Sequence, residues 1–377
     1  MNKNATESIA YDLKELGYST TAMHNHDGAF YSRNTAYANL GFDCFIPREC
    51  MTGLEYTPTG WAKDAVLCDY IIKALENSEN EDFIFAVSVQ CHSKYPKTLI
   101  ESYNYEIGVT GSDDEEYSNM LAYYAQIVRE EDAFLQKLIK LLSDYDEKTI
   151  VVMYGDHLPT FIKRGEQLVD ANGVSAEEGK YLSEYVLWSN YELDAADADL
   201  TACSLSSTVL HYAGIHTGNV MKLYQADITE SQLKNYRHAI TYDTVEGHHY
   251  LNDGASPYKT TNLQLGLQPI NVVDYEIRED ALYVYGKGFT EDAKVFINGV
   301  GYSSAFVNEN ILRVTEHVKL SNGDKIKAAI VTFDLVVLTE SKEYTVSNLQ
   351  GTVVANKGKI SFMKVFKYTS VVVCLAL

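Results

Sequence analysis

Proline is scarce, at 6 among 377 residues, and cations are outnumbered, with 31 Lys and Arg against 52 Asp and Glu for a net charge of −21. With 46% hydrophobic and 22% charged residues, the chain lacks the polar, proline-rich composition of disorder, so most of it is expected to fold. The shortage of cations argues against a nucleic-acid partner, because a phosphate backbone is repelled unless the few positive charges cluster. An acidic surface is compatible with a secreted or surface-exposed protein that holds divalent cations. The six cysteines (Cys44, Cys50, Cys68, Cys91, Cys203, Cys374) form no CxxC pair and no regular framework, and are expected to be free and buried. No run of roughly 18 apolar residues occurs, and the opening MNKNATESIAYDLKELGYSTT has no signal-peptide core. As written, the chain is therefore expected to carry neither membrane anchor nor export signal. The closing VFKYTSVVVCLAL is apolar but too short to span a bilayer.

What is present reads first as an α/β pattern, within a length that allows about two to three domains. Helices are expected over Thr6–Leu16, stopped by Gly17, over Trp61–Leu75, over Asn119–Leu142 and around Ser206–Ala213. Between them YSTTAMH, DFIFAVSVQ, KTIVVMYG and YVLWSN read as strands, the second and third as buried ones. Near Gly247 the composition changes. A loop-like stretch leads into short alternating strands that read as a small all-β sandwich. The expected division is 1–246 for the α/β domain, 247–268 for a linker, 269–345 for the sandwich, and 346–377 for a tail given no fold.

Open α/β sheets bind ligands beyond the carboxyl ends of their strands, so the loops after the strands carry the candidates. In Tyr154-Gly155-Asp156-His157-Leu158-Pro159 a carboxylate and an imidazole are adjacent where a strand ends. They can share a Zn²⁺ or Mn²⁺ if the chain turns there, or Asp156 can cap a helix beside a surface His157. His92, in Gln90-Cys91-His92-Ser93, is either a donor to an anionic oxygen or a loop histidine bonded to backbone. The segment from His24 to Arg33 holds two histidines, Asp27, Tyr31 and Arg33. It can form a phosphate-binding wall with Arg33 as bidentate clamp, or a solvated loop whose arginine pairs locally. His211 and His216 read as structural, and His248-His249 as surface. No GxSxG, Walker A or GxGxxG occurs in strand-turn-helix context, since Gly286-x-Gly288 lies inside a strand pattern.

Taken together, GYSTTAMHNHDGAFYSRNTAYANLGFDCFI, FAVSVQCHSKYP, TIVVMYGDHLP, EYVLWSNYE, SLSSTVLHYAGI and AITYDTVEGHHYL resemble, in order and spacing, the lipoteichoic acid synthase-like proteins. These form part of the sulfatase branch of the alkaline phosphatase superfamily, and the resemblance covers about residues 5–250. It implies a helix-flanked alkaline phosphatase-like sheet at the extracellular face of a membrane. The activity it implies is transfer of glycerol phosphate from phosphatidylglycerol, or a related anionic lipid or polymer, through a covalent threonine intermediate. It also implies a divalent cofactor, Mn²⁺ first and Zn²⁺ or Mg²⁺ as alternatives. Asp156 and His157 match the paired metal ligands, His92 the phosphate- or glycerol-contacting histidine, and His24 and Arg33 substrate-loop positions. Tyr31 stands where the family often has tryptophan.

The resemblance also implies a departure, because in the family the nucleophilic threonine and an acidic metal ligand precede the segment that begins here. Thr20 and Thr21 do not match the nucleophile. The expectation is thus a domain incomplete at its N-terminus, with half a metal site, an unknown catalytic residue, little activity alone, and an upstream chain as possible partner. YVYGKGFTEDAKVFINGV and FVNENILRVTEHVKLSNGD resemble an IPT/TIG Ig-like domain, which implies an accessory module binding protein or glycan. Asn298-Gly299 is a two-residue hairpin turn in that reading. Two alternatives stay open: a phosphate or sulfate ester hydrolase of the same fold, and a non-catalytic cell-surface binding protein.

Overall fold

Ser8 opens the first helix by accepting the Tyr11 N–H on its hydroxyl, and Gly17, at φ +96°, closes the turn after it. In the computed structural model, described for residues 4–162, 181–278, 281–347, 349 and 353–355, this helix is α1 (Ile9–Lys14). It is shorter than the expected Thr6–Leu16 because the cap fixes its start.

The strand β1 (Ser19–His24) follows and is buried at five of its six positions. The helix α2 (Arg33–Asn39), β2 (Cys44–Pro47), α3 (Ala65–Glu76) and β3 (Asp82–Val87) come next. β1 pairs in parallel with both β2 and β3. All three strands therefore end on the same side, and the loops after β1 and β3, which hold the histidines, leave the sheet together. β3 is an edge strand among the described residues, and Asp82–Phe85 are only partly buried, so its apolar run is covered less than its composition predicts.

Asp114 caps the long helix α4 (Glu115–Ser143), accepting the Tyr117 N–H at 3.0 Å. Ile127, Phe134, Leu138 and Leu142 are buried along it at helical spacing. The Cys68 thiol of α3 reaches the Phe134 carbonyl at 3.6 Å. β4 (Ile150–Tyr154) pairs antiparallel with β5 (Tyr185–Ser189), in a separate two-stranded sheet. This corrects the expectation that β4 is a strand buried on both faces: only Val151 and Val152 are buried in it. An apolar run reports burial but not its hydrogen-bonding partner, and here the partner's Val186 is itself half exposed.

The helices α5 (Ala202–Tyr212), α6 (Asn219–Gln225) and α7 (Glu230–Val245) complete this part. Thr201 with Ser204 and Thr229 with Gln232 form capping boxes for α5 and α7. Leu210 and Met221 pack on Leu13 of α1. β6 (Gln264–Leu265) then joins the first sheet beside β2, giving the order β3-β1-β2-β6. The loop-like segment before the β region thus contributes a strand of its own.

The β region follows: β7 (Asn271–Arg278), β8 (Ala281–Lys287), β9 (Ala293–Ile297), β10 (Val300–Tyr302), β11 (Ser304–Asn308) and β12 (Ile311–Val314). After them come β13 (Val318–Leu320), β14 (Lys325–Val331), β15 (Val337–Glu340), β16 (Tyr344–Thr345) and β17 (Val353–Ala355). They build antiparallel sheets of order β11-β12-β8-β7 and β10-β9-β14-β15, with β16 also on β14 and β13 paired to β17. Leu282, Val284, Leu312 and Val314 of one sheet share a core with Val295, Ile297, Ile326 and Ala328 of the other. Asn298 and Gly299, at φ +49° and +81°, make the two-residue turn between β9 and β10. The same apolar cluster continues through Ile270, Phe289 and Ile330 to Cys50 and Met51, and on to α3 and α4. Of the cysteines, Cys44, Cys50, Cys68, Cys91 and Cys203 are free; Cys203 is exposed rather than buried, and Cys374 lies outside the described residues.

Candidate functional site

Buried histidines gather where β1 and β3 end. His24 is 1% exposed, and its Nδ1 donates to the Val87 carbonyl at 2.7 Å, leaving Nε2 buried without a hydrogen-bond partner. His92 does the same toward the Ser93 carbonyl at 3.0 Å. When neutral, each ring therefore carries its proton on Nδ1 and a lone pair on Nε2. Burial, and for His24 also the nearby Arg33, pushes both imidazoles down, so they are neutral near pH 7. Neutral His92 presents an acceptor for a hydroxyl, and becomes a donor to an anion only on gaining a proton.

Between them stand His26 and Trp61. The His26 ring is 5.7 Å from His24, 5.4 Å from Trp61 and 5.4 Å from Phe30, and Trp61 is 5.3 Å from His92. Trp61 Nε1–H donates to the Ser93 carbonyl at 2.6 Å, the oxygen that also accepts from His92. Arg33 is 7% exposed; its guanidinium donates to the Asp27 carbonyl at 2.8 Å, lies 3.3 Å from His26 Nδ1, and sits 5.2 Å over the Phe30 ring. The turn that directs it inward runs through Tyr31 and Ser32, both at φ +55°. Two successive left-handed non-glycine residues are strained, and such strain concentrates at functional sites. The Tyr31 ring is tilted against Phe30 at 4.3 Å and is 59% exposed, so Phe30 is the aromatic ring in contact with His26 and Arg33.

Asp156 and His157 lie near His92. His157 donates Nδ1–H to the Leu158 carbonyl at 2.9 Å, which leaves its Nε2 lone pair 3.6 Å from Asp156 Oδ2. Residues 156–159 are bends and irregular chain, not the first turn of a helix, so Asp156 caps none. Two lone-pair donors converge there and suit two positions of a Zn²⁺ or Mn²⁺ sphere. Among the described residues no cluster of three or more His, Cys, Asp or Glu completes such a sphere.

Beneath the histidines a buried polar network ties the loops together. Asp64, fully buried before α3, accepts Asn25 Nδ2–H at 2.6 Å and the Val89 and Gln90 N–H groups at 3.0 and 3.2 Å. The Asp64 N–H donates back to Gln90 Oε1 at 2.8 Å. Burial pushes Asp64 up, and burial with the Asp64 charge holds Glu131 of α4 well above the usual carboxylate range.

A family model described as Sulfatase matches residues 2–215, more than half the chain. The chain belongs to the sulfatase family. It is 30% identical over 235 residues to a protein of Rhizobium meliloti (strain 1021) described as a cyclic beta-1,2-glucan modification protein. That match covers 59% of this chain and 36% of the relative, so the chain spans about a third of its relative's length. Among solved structures it resembles the Streptococcus pyogenes phosphoglycerol transferase GacH in complex with sn-glycerol-1-phosphate. There the TM-score is 0.51 and the identity 21%, over 64% of this chain and 66% of that one. It also resembles the lipoteichoic acid synthase LtaP of Listeria monocytogenes, at TM-score 0.40 and 18% identity over 82% and 68%. The α/β fold with its parallel sheet is thus the alkaline phosphatase-like one expected. Among the described residues no helix is long and apolar enough to cross a membrane.

Three members of this site are not singled out by the sequence. His26 was visible as the second histidine of its loop. Trp61 reads as the start of a helix, which in the structure begins four residues later, at Ala65. Asp64 leaves no local signal, because its partners, the Asn25 side chain and the Val89 and Gln90 amides, are distant in sequence.

Proposed function

We propose that the chain is part of a metal-dependent phosphoglycerol transferase or sulfatase-like enzyme acting on a phosphoester of the cell envelope, at the extracellular face of the membrane. The observation that supports this most directly is the buried Arg33, set beside His26 and close to His24, in a molecule of net charge −21. A desolvated guanidinium beside neutral imidazoles favours an anion carrying a neighbouring hydroxyl, and phosphoglycerol offers both. Asp156 and His157 are then two ligands of a divalent ion, Mn²⁺ first. A phosphoglycerol transferase and a glucan modification protein among the relatives support phosphatidylglycerol or a related lipid as donor and a carbohydrate as acceptor.

Titration of sn-glycerol-1-phosphate into the purified chain tests the anion site. Saturable binding is expected, lost in Arg33→Ala and weakened in Arg33→Lys, because a point charge does not replace a bidentate fork. Mn²⁺ should raise the melting temperature, and Asp156→Ala or His157→Ala should abolish that shift. Release of labelled glycerol phosphate from a phosphatidylglycerol analogue separates an enzyme from a binding protein. No binding by the unsubstituted chain, with Mn²⁺ present, overturns the reading.

A further inference from the structure

One peptide group in the substrate loop is held at both ends. The Asp27 carbonyl accepts from Arg33 at 2.8 Å, and the Gly28 N–H of the same peptide donates to Glu49 Oε2 at 3.1 Å. The orientation of that single plane therefore helps to set where the Arg33 guanidinium sits, together with His26 and Phe30. Glu49 lies in the turn after β2 and is fully buried. A buried carboxylate needs a countercharge, and Arg48 supplies it at 3.5 Å while its own N–H donates to the His26 carbonyl at 3.1 Å.

What anchors Arg48 comes from the β region. Asp292 Oδ2 accepts from its Nη1 at 2.9 Å, and the Thr290 hydroxyl donates to the Glu49 carbonyl at 2.6 Å. A Cβ on Gly28 would stand 2.7 Å from Pro47 Cβ and 3.3 Å from Leu338 Cδ1, so the loop lies pressed between the β2 turn and β15. Without Asp292, the guanidinium keeps Glu49 as its acidic partner, with Tyr56 beside it, and competes for the carboxylate that holds Gly28.

We propose that Asp292 is a positioning residue which, through Arg48 and Glu49, sets the Asp27–Gly28 peptide and hence the anion-gripping pose of Arg33. The β region is on this account a working part of the binding site, beyond the accessory module its sequence suggests. The functional side of the proposal rests on the anion reading above; the placement of the peptide does not.

The test uses the whole chain with ¹⁵N-labelled glycine and inorganic phosphate as probe. In Asp292→Asn the Gly28 amide should move and exchange faster, and phosphate affinity should fall about tenfold with little change in melting temperature. Asp292→Glu should restore both. Lys327→Ala, which breaks the surface ion pair with Glu340 in the same region, should change neither. An unmoved Gly28 amide in Asp292→Asn overturns the proposal. So does an amide that moves equally in Lys327→Ala, since the effect is then general loosening. If the unsubstituted chain binds no phosphate, the anion reading fails, and the Gly28 signal still decides whether Asp292 positions the loop.

Discussion

Asn25 Nδ2–H donates to Asp64 Oδ1 at 2.6 Å, joining the loop after β1 to the residue that introduces α3. Through the Val89 and Gln90 amides the same carboxylate joins the loop after β3. The histidine-bearing loops are thus fixed to one buried acid. Asp64→Ala strands these donors in a dry interior and is expected to cost roughly 3 kcal/mol or more in urea denaturation. Asp64→Asn, which turns one acceptor into a donor among donors, should fall between it and the unsubstituted chain. Glu131, held protonated in the fold but ionised in the unfolded chain at pH 7, lowers stability there, so Glu131→Gln should be stabilising at pH 7. Similar stabilities for Asp64→Ala and the unsubstituted chain would refute the network's role.

His26 predicts a pH dependence. Burial first, and then the Arg33 charge, push its imidazole down to about 4. In the unfolded chain it titrates near the ordinary value of about 6.5. Between these values the unfolded state binds the extra proton, so stability is lost as pH falls from about 6.5 towards 4. His26→Gln should flatten that part of the stability curve. Arg33→Ala should raise the midpoint of the His26 ring signal in an NMR titration, and an unmoved midpoint would show that Arg33 does not act on it.

Asp12 predicts the opposite slope. It is 2% exposed, and burial, with help from Glu7 and Glu15, raises its carboxyl to about 7. The unfolded group ionises near 3.9, so the folded state holds the extra proton between about 4 and 7, and stability is lost as pH rises through that window. Asp12→Asn removes the penalty and should gain roughly 1 to 3 kcal/mol at pH 8 and nothing at pH 3.5. A thermal-melt series across pH checks both ends; a gain at pH 3.5 equal to that at pH 8 would rule titration out.

The strands and their trailing loops were legible because a buried strand leaves a local mark, so His24, His92 and the Asp156-His157 pair could be placed at strand ends from sequence. What was not legible depends on contacts across the chain. Phe30 and Tyr31 are equivalent in one dimension, and only the left-handed turn at Tyr31 and Ser32 decides that Phe30 faces His26. Likewise the run in β4 does not say that β5 is its partner, nor does the stretch before β7 announce that Gln264 and Leu265 pair with β2. Arg48 and Glu49 carry no local signal of their role, since Asp292, which pairs with Arg48, lies far along the chain.

Gly286 carries the last prediction. Its place in a Gly-x-Gly run invites comparison with a nucleotide loop, yet it stands in β8, opposite Val272 where β7 is bulged. A Cβ there would fall 2.0 Å from the Asn271 carbonyl oxygen and 2.5 Å from Phe289 Cζ. Phe289 is 1% exposed and belongs to the cluster that reaches Cys50 and Met51, so neither neighbour can yield without opening that packing. The glycine is required by close approach of backbone and ring, not by a ligand. Gly286→Ala is therefore expected to cost about 2 to 4 kcal/mol by overpacking. Because Thr290, next to Phe289, holds the Glu49 carbonyl, the same variant should also disturb the Gly28 amide. A urea midpoint within error of the unsubstituted chain would mean that β7 and β8 have room the packing does not show.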